Sequence, residues 1–153
     1  MRLHLPAAWR RLLVAAGLLL TLALPLLPAE ASLLHLEGPV PEDLGVSQGH
    51  LSACVSPAHC ARQDWRVADP EAALASLLPA VLALEGVEVV DTRDGYLHAT
   101  VTSRLFGFVD DLELYANRRD GLLEARSVSR LGESDLGVNA RRLERHRAAL
   151  PAA

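Results

Sequence analysis

The chain contains no lysine. All fifteen of its basic side chains are arginine, set against nineteen acids, for a formal net charge of −4 over 153 residues. No function class follows from the missing lysine alone. The missing surplus of positive charge does exclude bulk binding to polyanions: an acidic domain is repelled by nucleic acid and by anionic lipid headgroups, so neither is expected as a partner. No internal repeat is visible, no stretch matches a catalytic motif, and no cofactor is expected. The length suits one domain with a modest core.

The longest apolar run, Leu12 to Leu27, falls short of the roughly 20 residues of a spanning helix and is interrupted by Gly17, Thr21 and Pro25. Arg2, Arg10 and Arg11 precede it, and Pro28-Ala29-Glu30-Ala31 follows with an A-x-A cleavage site. This is the pattern of an export signal over residues 1–31, with an uncleaved inner-membrane anchor at 12–27 as the alternative. The expected location is therefore exported, periplasmic or secreted. Removal of residues 1–31 leaves 12 Arg against 18 acids, a net charge near −6. Membrane contact is expected only through the N-terminal segment, where that is retained.

Two cysteines, Cys54 and Cys60, are most simply one disulfide in an exported chain. The short loop they enclose holds Ser56-Pro57, a turn-favouring pair. A metal site from His50, Cys54, His59 and Cys60 has no standard ligand spacing, and adjacent ligands at 59 and 60 are awkward, so no metal is expected. Leu51-Ser52-Ala53-Cys54 looks like a lipid-attachment box, but such a box must directly follow the apolar run, and here Glu37, Glu42 and Asp43 intervene.

Residues 32–62 hold Gly38, Pro39, Pro41, Gly45 and Gly49 without sustained periodicity, and read as a linker and Cys loop. Gln63 to Ala68 reads as a short edge strand. Asp69-Pro70-Glu71 is a helix start, followed by an apolar stripe at Leu74, Leu77, Leu78, Val81 and Leu82, a kink expected at Pro79 and a terminating glycine at Gly86. Asp94-Gly95 and Asp120-Gly121, each between strand-like runs, predict type I′ hairpins. Four strands in a meander follow from this: Val87 to Thr92, Tyr96 to Arg104, Phe108 to Ala116 and Leu122 to Leu131. A second helix, Ala140 to Leu150, is capped by Asn139, with Arg141, Arg142, Arg145 and Arg147 facing solvent. The expected fold over residues 63–150 is α+β, a two-layer sandwich in which an antiparallel sheet of four or five strands carries two helices on one face.

Alternation along the strands assigns the charges to faces. A two-residue loop at Asp120-Gly121 sets Asp111 opposite Arg130 and Tyr115 opposite Arg126, with Arg104 nearby. One face is then expected to gather Arg104, Asp111, Glu113, Arg126 and Arg130. The same count at Asp94-Gly95 sets Val89 against Thr100, a mismatch that a bulge would repair. Three functions fit such a face. An ion-pair ladder on a solvated sheet is purely structural, each pair contributing about 0.2–1 kcal/mol. An anion site uses the planar guanidinium fork, which suits carboxylate or phosphate. A hydrolase or transferase uses Asp110 or Asp111 with Ser103, Ser127 or Ser129, although His98 is a weak candidate for activating a serine.

These residues also fall into ordered blocks. Ser103-Arg104-Leu105-Phe106-Gly107-Phe108-Val109-Asp110-Asp111, then Arg126-Ser127 with Ser129-Arg130, then Ser134-Asp135-Leu136-Gly137-Val138-Asn139 with Arg141-Arg142 and Glu144, resemble the domain of unknown function (DUF) 1499 family from about Leu51 to Leu150. The paired cysteines fit as well. The resemblance implies no particular reaction and no catalytic residues. It does imply an N-terminal signal or membrane segment. Glu133 stands where an aromatic is usual, Ala140 where a basic residue is usual, and His59 where Asn is usual. The first two weaken a stacked aromatic or a full basic cluster at any site. The reading that follows is a non-catalytic module binding a small ligand or an envelope protein through the arginine face and the Ser134–Asn139 loop.

Overall fold

A computed structural model describes residues 36–151, so the expected signal segment at 1–31 lies outside the described residues. Five strands form one antiparallel sheet. They are β3 (Cys60–Arg66), β4 (Val87–Arg93), β5 (Tyr96–Thr102), β6 (Val109–Asn117) and β7 (Leu122–Ser129), in the spatial order β3-β7-β6-β5-β4. Helices α1 (Pro70–Leu82) and α2 (Val138–Ala149) pack on one face of it. The α+β two-layer fold is therefore as the sequence predicts. β3 is an edge strand, as expected, but starts at Cys60 rather than Gln63 and extends the meander by pairing with β7.

The core follows from period-two alternation. Leu97, Ala99, Leu112, Leu114, Leu123 and Ala125 point to the helices and meet Leu77, Val81 and Leu143 in a cluster sealed by Trp65. The α1 stripe is narrower than its spacing suggests, because Leu78 and Leu82 are exposed. Asp69 caps α1 by accepting from the backbone N–H of Glu71 and Ala72, with Pro70 at the first position, and the helix runs on through Pro79.

Gly86 does not end that helix; Ala83 does. Gly86 instead turns the chain into β4 at φ +70°, where a Cβ would sit 2.2 Å from the Thr102 carbonyl oxygen. Asp94 and Gly95 both take positive φ, and Arg93 pairs with Tyr96, so this hairpin has the two-residue loop expected. The register slips between Val89 and Asp91, which sets Val89 against Ala99. That is the bulge the polar mismatch called for. The second hairpin differs: Asn117 pairs with Leu122, making a four-residue loop. Asp111 therefore stands opposite Val128, not Arg130, and Tyr115 opposite Glu124, not Arg126. A shift of two residues keeps every side chain on its face, so the partners change while the faces survive.

Residues 36–59 form an arm across the sheet's other face. It contains a small hairpin, β1 (Val46–Ser47) with β2 (His50–Leu51), and leads to the disulfide Cys54–Cys60, whose Cα atoms are 5.6 Å apart. That bond suits an oxidising compartment. Among the described residues, no helix is long and apolar enough to cross a membrane.

Gly86→Ala should destabilise the domain by more than about 1 kcal/mol, since alanine at positive φ is strained and its methyl meets backbone. Urea unfolding would show a lower midpoint with an unchanged slope.

Candidate functional site

The sheet face under the arm is buried, contrary to the solvated ladder expected. Asp111, Glu113 and Glu124 are fully buried and Arg126 is 3% exposed. β6 supplies Asp111 and Glu113, β7 supplies Glu124 and Arg126, β3 supplies Arg62, and Arg130 follows β7 directly. Three carboxylates face three guanidiniums. Arg130 grips Asp111 through two bonds of 2.9 Å, Arg126 reaches Glu113 at 2.8 Å, and Arg62 reaches Glu124 at 2.8 Å.

The arm completes the pairing. The backbone N–H of Gly45 donates to Glu113 at 2.6 Å and that of Leu51 to Glu124 at 2.8 Å. Tyr96 also donates to Glu113, at 2.8 Å, and Asn117 to Glu124. His98 bonds Asp111 and His50 bonds Glu124. Two acids of the arm reach the arginines from the outer side: Asp43 to Arg126 at 2.7 Å and Glu37 to Arg130 at 3.1 Å. These two remain about half exposed, with side chains 43% and 54% accessible.

The electrostatics follow. Burial pushes the Asp111 carboxyl up, but hydrogen bonds and charge from Arg130 and His98 outweigh it and hold the group below the usual carboxylate range. Glu124 is likewise raised by burial and brought down on balance by bonds from Asn117, Leu51, His50 and Arg62. The hydrogen bond from Arg130 to Asp111 raises the arginine's own pKa. Burial, then the Glu113 charge, drives the Tyr96 phenol well above its ordinary range.

A second polar cluster lies on the opposite face, against α2. Arg142 donates to Asp110 and Ser127 at 2.7 Å each; Ser127 also donates to Asn139, and Ser129 to Asp110. Asn139 donates back to Ser129 at 2.9 Å. Arg142 is thus buried, not solvent-facing, whereas Arg141, Arg145 and Arg147 are exposed as expected. Asn139 is not the helix cap. It sits inside α2, and Asp135 serves the helix start by accepting from the N–H of Gly137 and of Asn139. Nearby on α2, His146 is buried with its Nε2 lacking a hydrogen-bond partner among the described residues. Burial, then the charges of Arg142 and Arg145, push its pKa down to about 4.

The predicted site residues therefore divide. Asp111, Arg126 and Arg130 come together under the arm. Asp110, Ser127, Ser129 and Asn139 meet Arg142 on the helix face. Arg104 leaves the expected face altogether, pairing with Glu85 at 3.3 Å on the surface. Ser103 closes the β5–β6 loop by accepting from the Phe108 N–H, and Ser134 accepts from that of Leu136. Glu124, which the candidate set omitted, was detectable by strand parity with Arg126; Arg62, on β3 ahead of the expected edge strand, was not. The arm residues Glu37, Asp43 and His50 carried no such signal.

Arg130→Ala should cost about 3–5 kcal/mol, because it strands a buried carboxylate, while Asp43→Asn should cost under about 1 kcal/mol, as expected for a half-exposed pair. Urea unfolding of the two variants checks the contrast. Stability should also fall with acid in two stages. His146, whose folded pKa of about 4 lies below its ordinary 6.5, binds its proton more readily when unfolded, so stability is lost from pH 6.5 down to about 4. The loss should amount to about 3 kcal/mol and vanish in His146→Leu. Asp111 and Glu124, also depressed, add a further loss as pH falls below the ordinary carboxylate range.

No curated protein and no solved structure matches the chain. A family profile described as "Protein of unknown function (DUF1499)" matches residues 45–150, a span that runs from the arm's hairpin through both polar clusters to the end of α2. With most of its length inside that match, the chain belongs to the DUF1499 family.

Proposed function

We propose that this chain is an exported, non-catalytic binding module of the cell envelope, periplasmic or secreted, taking an anionic group of a small ligand or partner protein between arm and sheet. The carrying observation is the unequal hold on Arg126 and Arg130. From behind, each is fixed by a fully buried strand carboxylate, Glu113 or Asp111; from the front, each meets only a half-exposed acid of the arm, Asp43 or Glu37. Both arginines line a cleft of about 390 Å³ with Pro39, Val40, Pro41 and Asp43. A carboxylate or phosphate of comparable geometry competes for the positions that Asp43 and Glu37 occupy. The hydrolase reading has less support: Asp111 lies across the sheet from Ser127 and Ser129, and Asp110, which does meet Ser129, is tied with both serines to Arg142 and Asn139 beneath α2.

The double variant Glu37→Gln/Asp43→Asn tests this by removing the internal competitors while leaving the buried pairs intact. Calorimetric titration with citrate and with inorganic phosphate should show tighter binding than to the unsubstituted protein, and capture from an envelope fraction should increase. Identical titrations and an unchanged captured set would remove the anion site from consideration.

A further inference from the structure

We propose that the pole of the domain bearing Leu36, Leu105, Phe106, Phe108, Leu131 and Leu136 is a lipid-docking surface, whose two phenylalanine rings enter the interface of a bilayer. Of the fourteen large apolar side chains exposed among the described residues, these six are not scattered singly as on an ordinary soluble surface. Those six are exposed and gather at one end of the sheet, where β5 and β7 finish and β6 begins. Contacts tie several of them together. Leu36 pairs with Phe108, the Phe106 and Phe108 rings lie 5.9 Å apart, and Gly38 packs against Leu131.

The loop that presents the rings is held rigidly. Ser103 N–H donates to the Phe108 carbonyl at 2.8 Å, Gly107 N–H to that of Ser103 at 2.9 Å, and Phe108 N–H to Ser103 Oγ at 3.0 Å. Four consecutive residues, Ser103 to Phe106, and Phe108 beyond the buried Gly107, are exposed on this loop. An aromatic pair held outward gains free energy on leaving water in proportion to the apolar area it still exposes.

Where the N-terminal segment is retained as an anchor rather than cleaved, the position of the preceding chain selects lipid as the occupant. Leu36, the first described residue, donates its N–H to the Gly107 carbonyl at 3.2 Å, inside this same loop. The apolar run Leu12–Leu27 precedes it by only residues 28–35. That spacer reaches at most about 30 Å when extended, so a membrane holding residues 12–27 lies within reach of this pole. The charge balance argues for insertion rather than adhesion: the chain is acidic, and Arg104 at the rim is matched by Glu85. Zwitterionic lipid is therefore sufficient, and anionic lipid adds nothing. This extends membrane contact from the N-terminal segment to the folded domain, and does not depend on the anion cleft.

The chain offers its own probe, since its two phenylalanines are Phe106 and Phe108. The full chain carrying 4-fluorophenylalanine, made in the presence of phosphatidylcholine nanodiscs, would report on this loop without substitution. Its fluorine resonances should be broadened strongly by doxyl-labelled lipid and weakly by a water-soluble gadolinium chelate. Resonances relaxed by the chelate and untouched by labelled lipid would overturn the proposal. So would resonances shielded from both, which would assign the surface to another copy of the chain.

Discussion

Three carboxylates shut away from the surface organise this domain. Asp111, Glu113 and Glu124 are fully buried on the sheet face that an isolated meander would leave to solvent. Burying one ionised carboxylate without partners costs several kcal/mol, and three would exceed the stability of a domain this size. They are tolerated because each has a guanidinium at 2.8–2.9 Å and further donors besides. Two of those donors are backbone N–H groups of the arm, from Gly45 and Leu51. The arm therefore covers the carboxylates, and the carboxylates satisfy the arm. Through these bonds residues without periodicity of their own become part of the fold.

The same logic recurs on the helix face, and alternation along two short stretches supplies both networks. In Arg126-Ser127-Val128-Ser129-Arg130 the arginines point to the arm and the serines to α2. In Asp110-Asp111 the first acid meets Arg142 and the second meets Arg130. Blocks that look like one concentrated site in the sequence are thus two fasteners on opposite sides of one sheet. Charge density alone did not reveal this, because the linear sequence superposes the two faces. The consequence for function is a narrowing: most groups in these blocks are held by buried partners, while the outer acids of the arm, Glu37 and Asp43, are half exposed.

What was legible in the sequence was whatever depends on parity and turn chemistry. The bulge near Val90 was foreseeable from the apolar-polar clash of an unbroken register, and the core face of β5–β7 from simple alternation. The Asp120-Gly121 loop was misjudged by two residues. Asn117 pairs with Leu122 there and sends its side-chain amide to Glu124 and to the Gly49 carbonyl of the arm, contacts beyond the turn that turn propensity does not encode. Arg142 was misplaced for a related reason. In a helix crowded with arginine, the one that turns inward is chosen by Asp110 on a distant strand. Exposure of the arginine face was misread because covering it required the arm, whose path is set by carboxylates more than sixty residues away.

The arm itself is unevenly secured. From Gly45 to Leu51 it is pinned by Glu113, Glu124 and its own hairpin, and beyond that by the disulfide. At its start, Leu36 is held by Gly107. Between these anchors run residues 37–43, where Pro39 and Pro41 have no N–H to donate, and where the attachment to the sheet is made by the side chains of Glu37 and Asp43. Local opening is least costly where backbone hydrogen bonds are fewest and ion pairs are half solvated. Residues 37–43 meet both conditions, while the guanidiniums beneath them stay rigidly aimed by Asp111 and Glu113. These are the features on which the proposed exchange of an anion rests: a lightly attached segment above two arginines held by buried carboxylates. The segment also lies next to the apolar pole that begins at Leu36, so the two proposed sites, cleft and pole, share neighbouring lengths of the same strap.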